Sequence, residues 1–182
     1  MKNAPTIRLA EVKDANGIAY VHVTAWQETY RGLMPDSVLD TLSLERRARQ
    51  WKETLEDISN PYHPTLVAES ERKIIGFANY GQEREGDQEY KGELFAIYIL
   101  NKYRGQGIGR QLVQKAAEGL LALKLTSMLV WVLSGNPYQK FYERLGGMYL
   151  REKSLPLGDT LLAEKAYGWM DIRPLAEMES LS

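Results

Sequence analysis

The sequence contains no cysteine and only two histidines among its 182 residues. The absence of cysteine excludes disulfides, thiolate metal sites and a cysteine nucleophile, and it is compatible with a reducing cytoplasm. The two histidines, His22 and His63, are isolated, so they form neither a metal-ligand pattern nor a Ser-His-Asp arrangement. We therefore expect no metal site, and we expect His22, on an apolar helical face, to be structural.

Long apolar runs and an excess of one charge sign are also missing. The N-terminal segment has no apolar core like that of a signal peptide, and no stretch approaches the ~20 apolar residues that cross a bilayer. The formal net charge is -1 and the pI is about 6.2, which disfavours binding to nucleic acid through phosphate neutralisation. The sequence thus predicts a cytoplasmic protein that binds neither membrane nor nucleic acid and holds any anionic ligand by local geometry.

The residues that are present have the balance of a globular protein. Hydrophobic residues make up 44% of the chain and charged residues 26%. No internal repeat, low-complexity tract or long linker marks a second domain. We expect one domain over residues 1–182.

The spacing of apolar residues predicts an α+β fold with a mixed sheet flanked by helices. Strands are predicted at residues 6–12, 64–69, 73–82, 92–100, 127–133, 147–155 and 160–171. Helices are predicted after an Asp14 cap and at residues 43–58, 108–123 and 137–145. Because a helix separates the strands at 92–100 and 127–133, these two strands are predicted to be parallel, with a right-handed crossover.

A strand, a glycine-rich turn and a helix start follow one another in LFAIYILNKYRGQGIG, residues 94–109. Helix N-termini present unpaired N–H groups and a partial positive charge, and glycines let a pyrophosphate approach the backbone closely. Arg104 and Arg110 add positive charge at the rim. The segment predicts a phosphate-binding turn; the alternative is a flexible turn that binds nothing.

Two other phosphate-binding patterns do not fit this turn. The Walker pattern requires a Gly-Lys-Ser/Thr ending, which is missing, and the dinucleotide fingerprint requires a third glycine where Arg110 stands. No carboxylate occurs at Leu129 or its close neighbours, where a ribose-binding acid is expected about twenty residues after that turn.

The segment SGNPYQKFYERLG, residues 134–146, predicts a short helix from its two ends. Asn136 is a favoured N-cap, Pro137 suits the first helical position, and Gln139 completes a capping-box spacing. Gly146 suits the C-terminal stop. Tyr142 lies on the aromatic face of this helix, where the simplest interpretation is a packed side chain.

Together, the two motifs resemble those of the GCN5-related N-acetyltransferase (GNAT) superfamily. The matching residues are Arg104, Gly107 and Gly109 in the turn, and Asn136, Phe141, Tyr142, Leu145 and Gly146 downstream. The resemblance extends over roughly residues 6–172. It implies a sheet whose central parallel strands splay apart, and acetyl-CoA as co-substrate.

The resemblance also implies which residues hold the cofactor. In this family the pantetheine pairs with the first parallel strand, and the pyrophosphate binds the amides of the turn. The implied cofactor-binding residues are Ile97, Tyr98, Ile99, Arg104, Gly105, Gln106, Gly107, Ile108, Gly109, Arg110 and Asn136. Tyr142 would be the general acid that protonates the departing CoA thiolate.

A general base is needed as well, because only a neutral amine can attack the thioester directly. Glu93 is the predicted base, since relatives often place one on this strand and a period of two puts it on the face of Phe95, Ile97 and Ile99. The alternative is an exposed charge at the end of the strand. An acidic loop at residues 82–89 could attract a cationic amine, or it could simply be solvated.

The acceptor site is implied by a third match. Residues 26–35 resemble the W-x-x-T-Y-x-G-x-x-P stretch found in many bacterial members of the superfamily. Trp26, Glu28 and Tyr30 are therefore the predicted acceptor-binding residues, although aromatic residues on a helix are more often core.

The sequence thus predicts an acetyl-CoA-dependent N-acetyltransferase that acts on an amine of a small molecule or a peptide N-terminus. The alternative is a non-catalytic regulatory module that binds acyl-CoA. Late strands in this superfamily often pair across dimers, so a homodimer is one predicted assembly. The identity of the acceptor is not encoded in a readable motif.

Overall fold

The computed structural model describes residues 4–57 and 63–178. Its strands are β1 Thr6–Leu9, β2 Thr65–Ser70, β3 Lys73–Gln82, β4 Gly92–Ile99, β5 Met128–Leu133, β6 Met148–Leu157 and β7 Thr160–Trp169. Its α-helices are α1 Ala15–Tyr30, α2 Asp36–Asp40, α3 Leu44–Glu56, α4 Ile108–Ala122, α5 Gln139–Arg144 and α6 Arg173–Ala176. None of these helices has the length and apolar character needed to cross a membrane.

The strands form one mixed sheet in the order β1-β2-β3-β4-β5-β7-β6. The pair β4–β5 is parallel and the other strand pairs are antiparallel. The parallel pairing ends at Leu94 opposite Val130, whereas β4 stays paired with β3 as far as Ile99. The two central strands therefore diverge, and the predicted α+β fold with splayed parallel strands is confirmed.

Helices cover both faces of this sheet. On one face α4 packs against the strands through fully buried side chains such as Leu112 and Leu120, and α5 and α6 join the same core. On the other face α1 and α3 pack through Ile18 and Trp51 against Phe77 of β3. The glycine turn, which leads into α4, thus lies on one side of the splay and α1 lies on the other.

A β-bulge in β4 changes which side chains share a face. Neighbouring residues of β3 pair with β4 residues that are two apart, so Phe95 is an extra, bulged residue. Glu93 consequently lies on the face of Tyr98, opposite the face of Ile97 and Ile99. The predicted face of Glu93 is wrong, because a strict period of two does not account for the bulge.

The start of α5 also differs from the prediction. The helix begins at Gln139 rather than Pro137, because the Asn136 side chain accepts a 2.9 Å hydrogen bond from the backbone N–H of Tyr138 and forms a turn before the helix. Gln139 donates to the carbonyl oxygen of Leu133, so no capping box forms. Asn136 is a turn residue and not the predicted N-cap.

Other boundaries follow the sequence more closely. Ser43 caps α3, since its hydroxyl accepts a hydrogen bond from the N–H of Arg46; the predicted end of this helix at Ile58 lies outside the described residues. Asp14 precedes α1 without capping it, because its carboxylate binds Arg8 and the N–H of Glu11 instead. The short helices α2 and α6 were not predicted, because five and four residues are too few to show a helical period.

Gly119 gives a test of how tightly α4 packs on the sheet. A Cβ at this position would lie 2.6 Å from Cζ of the buried Tyr80 ring. Although alanine favours helices, we expect Gly119→Ala to lower the free energy of unfolding by about 1–3 kcal/mol through overpacking. Lys115→Ala, on the exposed part of the same helix, should change it by no more than about 0.5 kcal/mol. Chemical denaturation measures both; equal stability of the two variants would contradict the close packing.

Candidate active site

A cavity of about 510 Å³ opens where β4 and β5 diverge. Its walls come from the free edge of β4, the end of β5, the glycine turn, α5 and the end of α1. Every predicted cofactor-binding residue except Gln106 lines it. The structure therefore brings the two sequence motifs, which are about thirty residues apart, to one site.

The glycine turn has the backbone geometry of an anion site. Gly105 and Gly107 have φ of 74° and 80°, a region that favours glycine, and Gly107 is the N-cap of α4. The first turn of α4 contains no acidic residue, so nothing there neutralises the partial positive charge of the helix N-terminus. A Cβ at Gly109 would come within 3.2 Å of the Phe141 ring, so this glycine lets α4 and α5 approach closely.

The two arginines of the turn have different surroundings. Arg104 donates to the Ile99 carbonyl oxygen, the Tyr138 hydroxyl and the Thr29 hydroxyl, at 2.6–3.1 Å, so its guanidinium ties the end of β4 to α1. The Nε of Arg110 is buried and has no hydrogen-bond partner within the described chain. A buried donor without a partner is costly, and Arg110 lines the cavity. This arrangement fits an anionic group bound beside Arg110.

Gln106 points away from the cavity. Its side-chain amide donates a 3.0 Å hydrogen bond to the carbonyl oxygen of Lys102, and the residue is exposed. Its predicted contact with the cofactor therefore stays a prediction. Because the side chain is engaged with Lys102, this contact would have to come from the backbone of Gln106.

Tyr30 and Tyr98 form the α1 side of the cavity. Their hydroxyl oxygens are 3.2 Å apart, and burial raises the pKa of both phenols, that of Tyr98 well above its ordinary value. The side-chain amide of Asn136, across the splay, interacts with the Tyr30 hydroxyl and partly offsets the increase in the pKa of this phenol. Trp26 packs edge-on against the Tyr30 ring at 5.4 Å and lies behind it. Of the predicted acceptor residues, Tyr30 thus reaches the cavity and Trp26 supports it.

Glu28 lies at the other end of the site. Its carboxylate accepts a hydrogen bond from the N–H of Asn101 at 3.3 Å and is 3.8 Å from the guanidinium of Arg104. These contacts join α1 to the glycine turn. The residue is absent from the cavity wall, so its predicted contact with the acceptor stays a prediction.

Tyr142 lies in the cavity wall on the opposite side of the splay from α1. The ring is buried, stacks on Tyr167 with 6.2 Å between centroids, and contacts Phe141 edge-on. Burial raises the pKa of the phenol, and Tyr30 across the splay raises it further. The hydroxyl therefore stays protonated at neutral pH, so it can donate a proton but does not act as a base.

Glu93 is buried beside this cavity but does not line it. Its carboxylate accepts two hydrogen bonds from the Arg84 guanidinium, at 2.7 and 3.2 Å. The guanidinium in turn lies 4.2 Å from the centre of the Phe95 ring. The base role predicted for Glu93 stays a prediction. Its carboxylate already forms an ion pair with Arg84.

The acidic loop before β4, for which a solvated loop was one of the two sequence interpretations, forms ion pairs with β6. Asp87 pairs with Arg151 and Glu85 pairs with Lys153, both on β6. The Lys153 ammonium also lies 3.9 Å from the centre of the Trp131 ring. Sequence reasoning missed a signal for this pairing. Acidic residues occur at every second position in the loop, and basic residues occur with the same spacing at Arg151 and Lys153 in β6.

Volume alone does not identify the site. A larger cavity of about 770 Å³ lies beside β1 and the β2–β3 turn, and its walls include the ion-paired Arg8, Asp14 and Glu69. Neither the glycine turn nor Tyr142 contributes to it. Of these two cavities, the one in the splay contains both the glycine turn, which can bind an anion, and Tyr142, which can donate a proton.

The histidines take no part in either motif. Trp51 donates a 3.1 Å hydrogen bond to Nδ1 of His22, and burial lowers the pKa of this imidazole to about 3. It is therefore neutral and structural, as predicted. Across residues 4–57 and 63–178, no three His, Asp or Glu side chains come together in a group that could hold a metal ion.

Comparison with known proteins agrees with this geometry. Residues 23–147 match the acetyltransferase (GNAT) family. A Bacillus subtilis (strain 168) protein described as the uncharacterized N-acetyltransferase YuaI is 35% identical over 171 residues, which are 93% of this chain and 95% of that protein.

Solved structures share the fold. An N-acetyltransferase from Staphylococcus aureus Mu50 gives a TM-score of 0.72 at 22% identity, over 94% of this chain and 100% of that one. The PaiA N-acetyltransferase from Thermoplasma acidophilum, solved in complex with coenzyme A, gives 0.67 at 18% identity, over 90% and 98% of the two chains. The family match, the relative and the splayed sheet lead to one conclusion: the chain belongs to the acetyltransferase (GNAT) family and is an N-acetyltransferase.

Proposed function

We propose that this enzyme transfers an acetyl group by direct attack of a primary amine on the thioester, the amine belonging to a small molecule or a peptide N-terminus. Acetyl-CoA is the co-substrate. The observation that carries the proposal is the cavity in the splay, which has a glycine turn at one end and the protonated Tyr142 in its wall. The PaiA N-acetyltransferase, which shares this fold, was solved in complex with coenzyme A, and this supports a coenzyme A thioester as the donor.

The donor site is built from backbone more than from side chains. Beyond Leu94 the edge of β4 that faces β5 has no strand partner, so residues 97–99 can pair with the amides of a pantetheine. The N-terminus of α4 and the orphaned Nε of Arg110 suit the pyrophosphate. The thioester of the bound donor supplies the activated acetyl group.

Tyr142 is the acid in this proposal. As the new C–N bond forms and the C–S bond breaks, its hydroxyl gives a proton to the leaving sulfur. The raised pKa keeps that proton in place across neutral pH. Within the described chain the hydroxyl makes no hydrogen bond to another side chain or to the backbone, which favours a reacting group over a packed tyrosine and an enzyme over a binding module.

Thermal shift and thiol release test the function together. Acetyl-CoA at about 100 times its dissociation constant should add about 2.7 kcal/mol of apparent stability. Thiol release is then followed across polyamines, aminoglycosides, amino acids and peptide N-termini, and we expect at least one class to stimulate it. A thermal shift without turnover on any amine would favour the non-catalytic module, and no shift at all would contradict the donor site.

Arg110 tests the donor site at a single side chain. We expect Arg110→Gln to weaken acetyl-CoA binding by about 10- to 100-fold, the cost of losing a hydrogen bond from a charged donor. Arg46→Gln makes the same change in net charge on the exposed surface of α3 and should bind as the wild type does. Calorimetric titration with acetyl-CoA measures both; equal weakening would mean that bulk charge, and not this contact, holds the donor.

Tyr142→Phe tests the acid. We expect kcat to fall by about 10²-fold while the affinity for acetyl-CoA is retained, because only proton transfer to the sulfur is lost. Tyr167→Phe is the matched control, since this stacked neighbour has its hydroxyl near Glu143 instead of the cavity. Steady-state thiol release measures both variants, and a Tyr142→Phe enzyme with wild-type kcat would remove the assigned role.

A further inference from the structure

The sheet face that carries Tyr98 continues across β5, β7 and β6, and on this face Trp131 of β5 lines the active-site cavity. Glu164 of β7 lies on the same face but is not part of the cavity wall. The strand registers place Leu133, Glu164 and Lys153 in one cross-strand row, next to the row that contains Trp131. We propose that Glu164 binds the ammonium group of the acceptor and takes its proton. This inference rests on the proposed function, since it names a residue of the same acyl-transfer site.

The first support is the position of Glu164 relative to the acid. Leu133, its partner in the β5–β7 ladder, and Leu162, two residues away on the same face of β7, pack in one cluster with Tyr30, which lines the cavity. The negative charge of Glu164 adds to the effect of burial in raising the pKa of the Tyr30 phenol. Tyr30 acts in the same way on Tyr142 across the splay. Glu164 thus lies on the face of the sheet that packs against Tyr30 of α1, whereas Tyr142 lines the cavity from α5. An amine entering beside Glu164 would face the thioester from the side opposite the proton donor.

The second support is that the neighbouring acids already have cationic partners. Glu93 is paired with Arg84, Glu85 with Lys153, and Asp87 with Arg151. The half-buried Glu164 makes no ion pair within 4.0 Å and no hydrogen bond through its carboxylate to any described residue. Half-burying a carboxylate without a partner costs free energy, and an incoming ammonium would recover that cost.

The third support is the basicity of the group. Burial is the main cause that raises the pKa of Glu164, and the acids Glu85 and Glu93 raise it further. Lys153 and Arg84 lower it in part, and Tyr30 faces it from α1 as a neutral phenol. A carboxylate whose pKa is raised towards neutral pH is a better proton acceptor than an ordinary one.

The wall beside Glu164 suits an amine carried on a polar substituent. The indole ring of Trp131 lines the cavity, and its buried Nε1 has no hydrogen-bond partner among the described residues. The ring face is shared with the Lys153 ammonium. An acceptor held at Glu164 would therefore meet a hydrogen-bond donor and an aromatic surface at the same place.

The proton balance of the step is complete. Glu164 takes one proton from the ammonium group, which leaves the neutral amine with a lone pair for the carbonyl carbon. The C–N bond forms and the C–S bond breaks, and Tyr142 gives its proton to the sulfur. The second N–H proton, released as the amide forms, restores Tyr142, and Glu164 returns its proton to solvent when the product leaves.

Replacement of Glu164 tests the inference with the most active amine of the panel. We expect Glu164→Gln to lower kcat/KM for the amine by about 10²-fold and to leave acetyl-CoA affinity unchanged. Because a raised pKa means that the acid form persists to higher pH, wild-type kcat/KM should fall as pH drops through that pKa, and the variant should lose this acid limb. Glu152→Gln, exposed on the opposite face of β6, is the matched control and should keep wild-type kinetics.

Glu93→Gln is measured under the same conditions as the rival. A loss of about 10²-fold in this variant together with wild-type kinetics in Glu164→Gln would overturn the inference in favour of Glu93. Unfolding midpoints of all three variants, with and without acetyl-CoA, show whether each one folds and binds the donor.

A second readout separates this inference from the proposed function. Protein labelled with ¹³C on glutamate side chains and saturated with coenzyme A is titrated with n-propylammonium, which needs no turnover. We expect one side-chain carboxyl signal to shift, and the same signal to be missing in Glu164→Gln. If the wild type acetylates no amine, the proposed function fails while this titration still decides the site; the absence of a shifting Glu164 signal would overturn the inference.

Discussion

The early end of the β4–β5 ladder is the constraint on which the rest of the site depends. After Leu94 the edge of β4 that faces β5 has no strand partner, while β3 holds the other edge in place as far as Ile99. Backbone polar groups without partners are costly unless water or a ligand satisfies them. The splay therefore leaves main-chain polar groups of β4 without a strand partner, where we propose that the pantetheine binds, and the bulge at Phe95 lies at its start.

The charged groups around this splay act through their local positions, because the chain has no overall excess of positive charge. The chain as a whole has a formal net charge of -1, and the groups that we propose for the anionic donor are the N-terminus of α4 and Arg110, whose buried Nε has no hydrogen-bond partner within the described chain. Arg104 adds a positive charge to the same turn as Arg110 does, but its guanidinium donates hydrogen bonds to Ile99 and Thr29 and so joins β4 to α1. On the face of the sheet that carries Tyr98, ion pairs join the loop before β4 to β6, and Glu164 has no ion-pair partner within 4.0 Å among the described residues.

Sequence reasoning succeeded where the signal was local. The glycine turn, α4 and the paired strands could be predicted because the turn chemistry and the apolar period lie within a few neighbouring residues. It was wrong about the face of Glu93 and about the N-cap at Asn136, for the same kind of reason. A bulge is defined by the partner strand, and Asn136 could either cap a helix or close a turn, a choice that depends on the contact between Gln139 and Leu133.

The sequence by itself determined the family and the enzyme class and led to the proposed donor site, because these depend on two short motifs whose backbone conformation is largely encoded in place. The acceptor side that we propose depends on tertiary structure alone. Tyr30, Trp131 and Glu164 lie on α1, β5 and β7, and only strand order and register bring them to the same face of the sheet. A register shift of one residue would turn Glu164 to the other face of the sheet, so no pattern within a single segment could assign it a role.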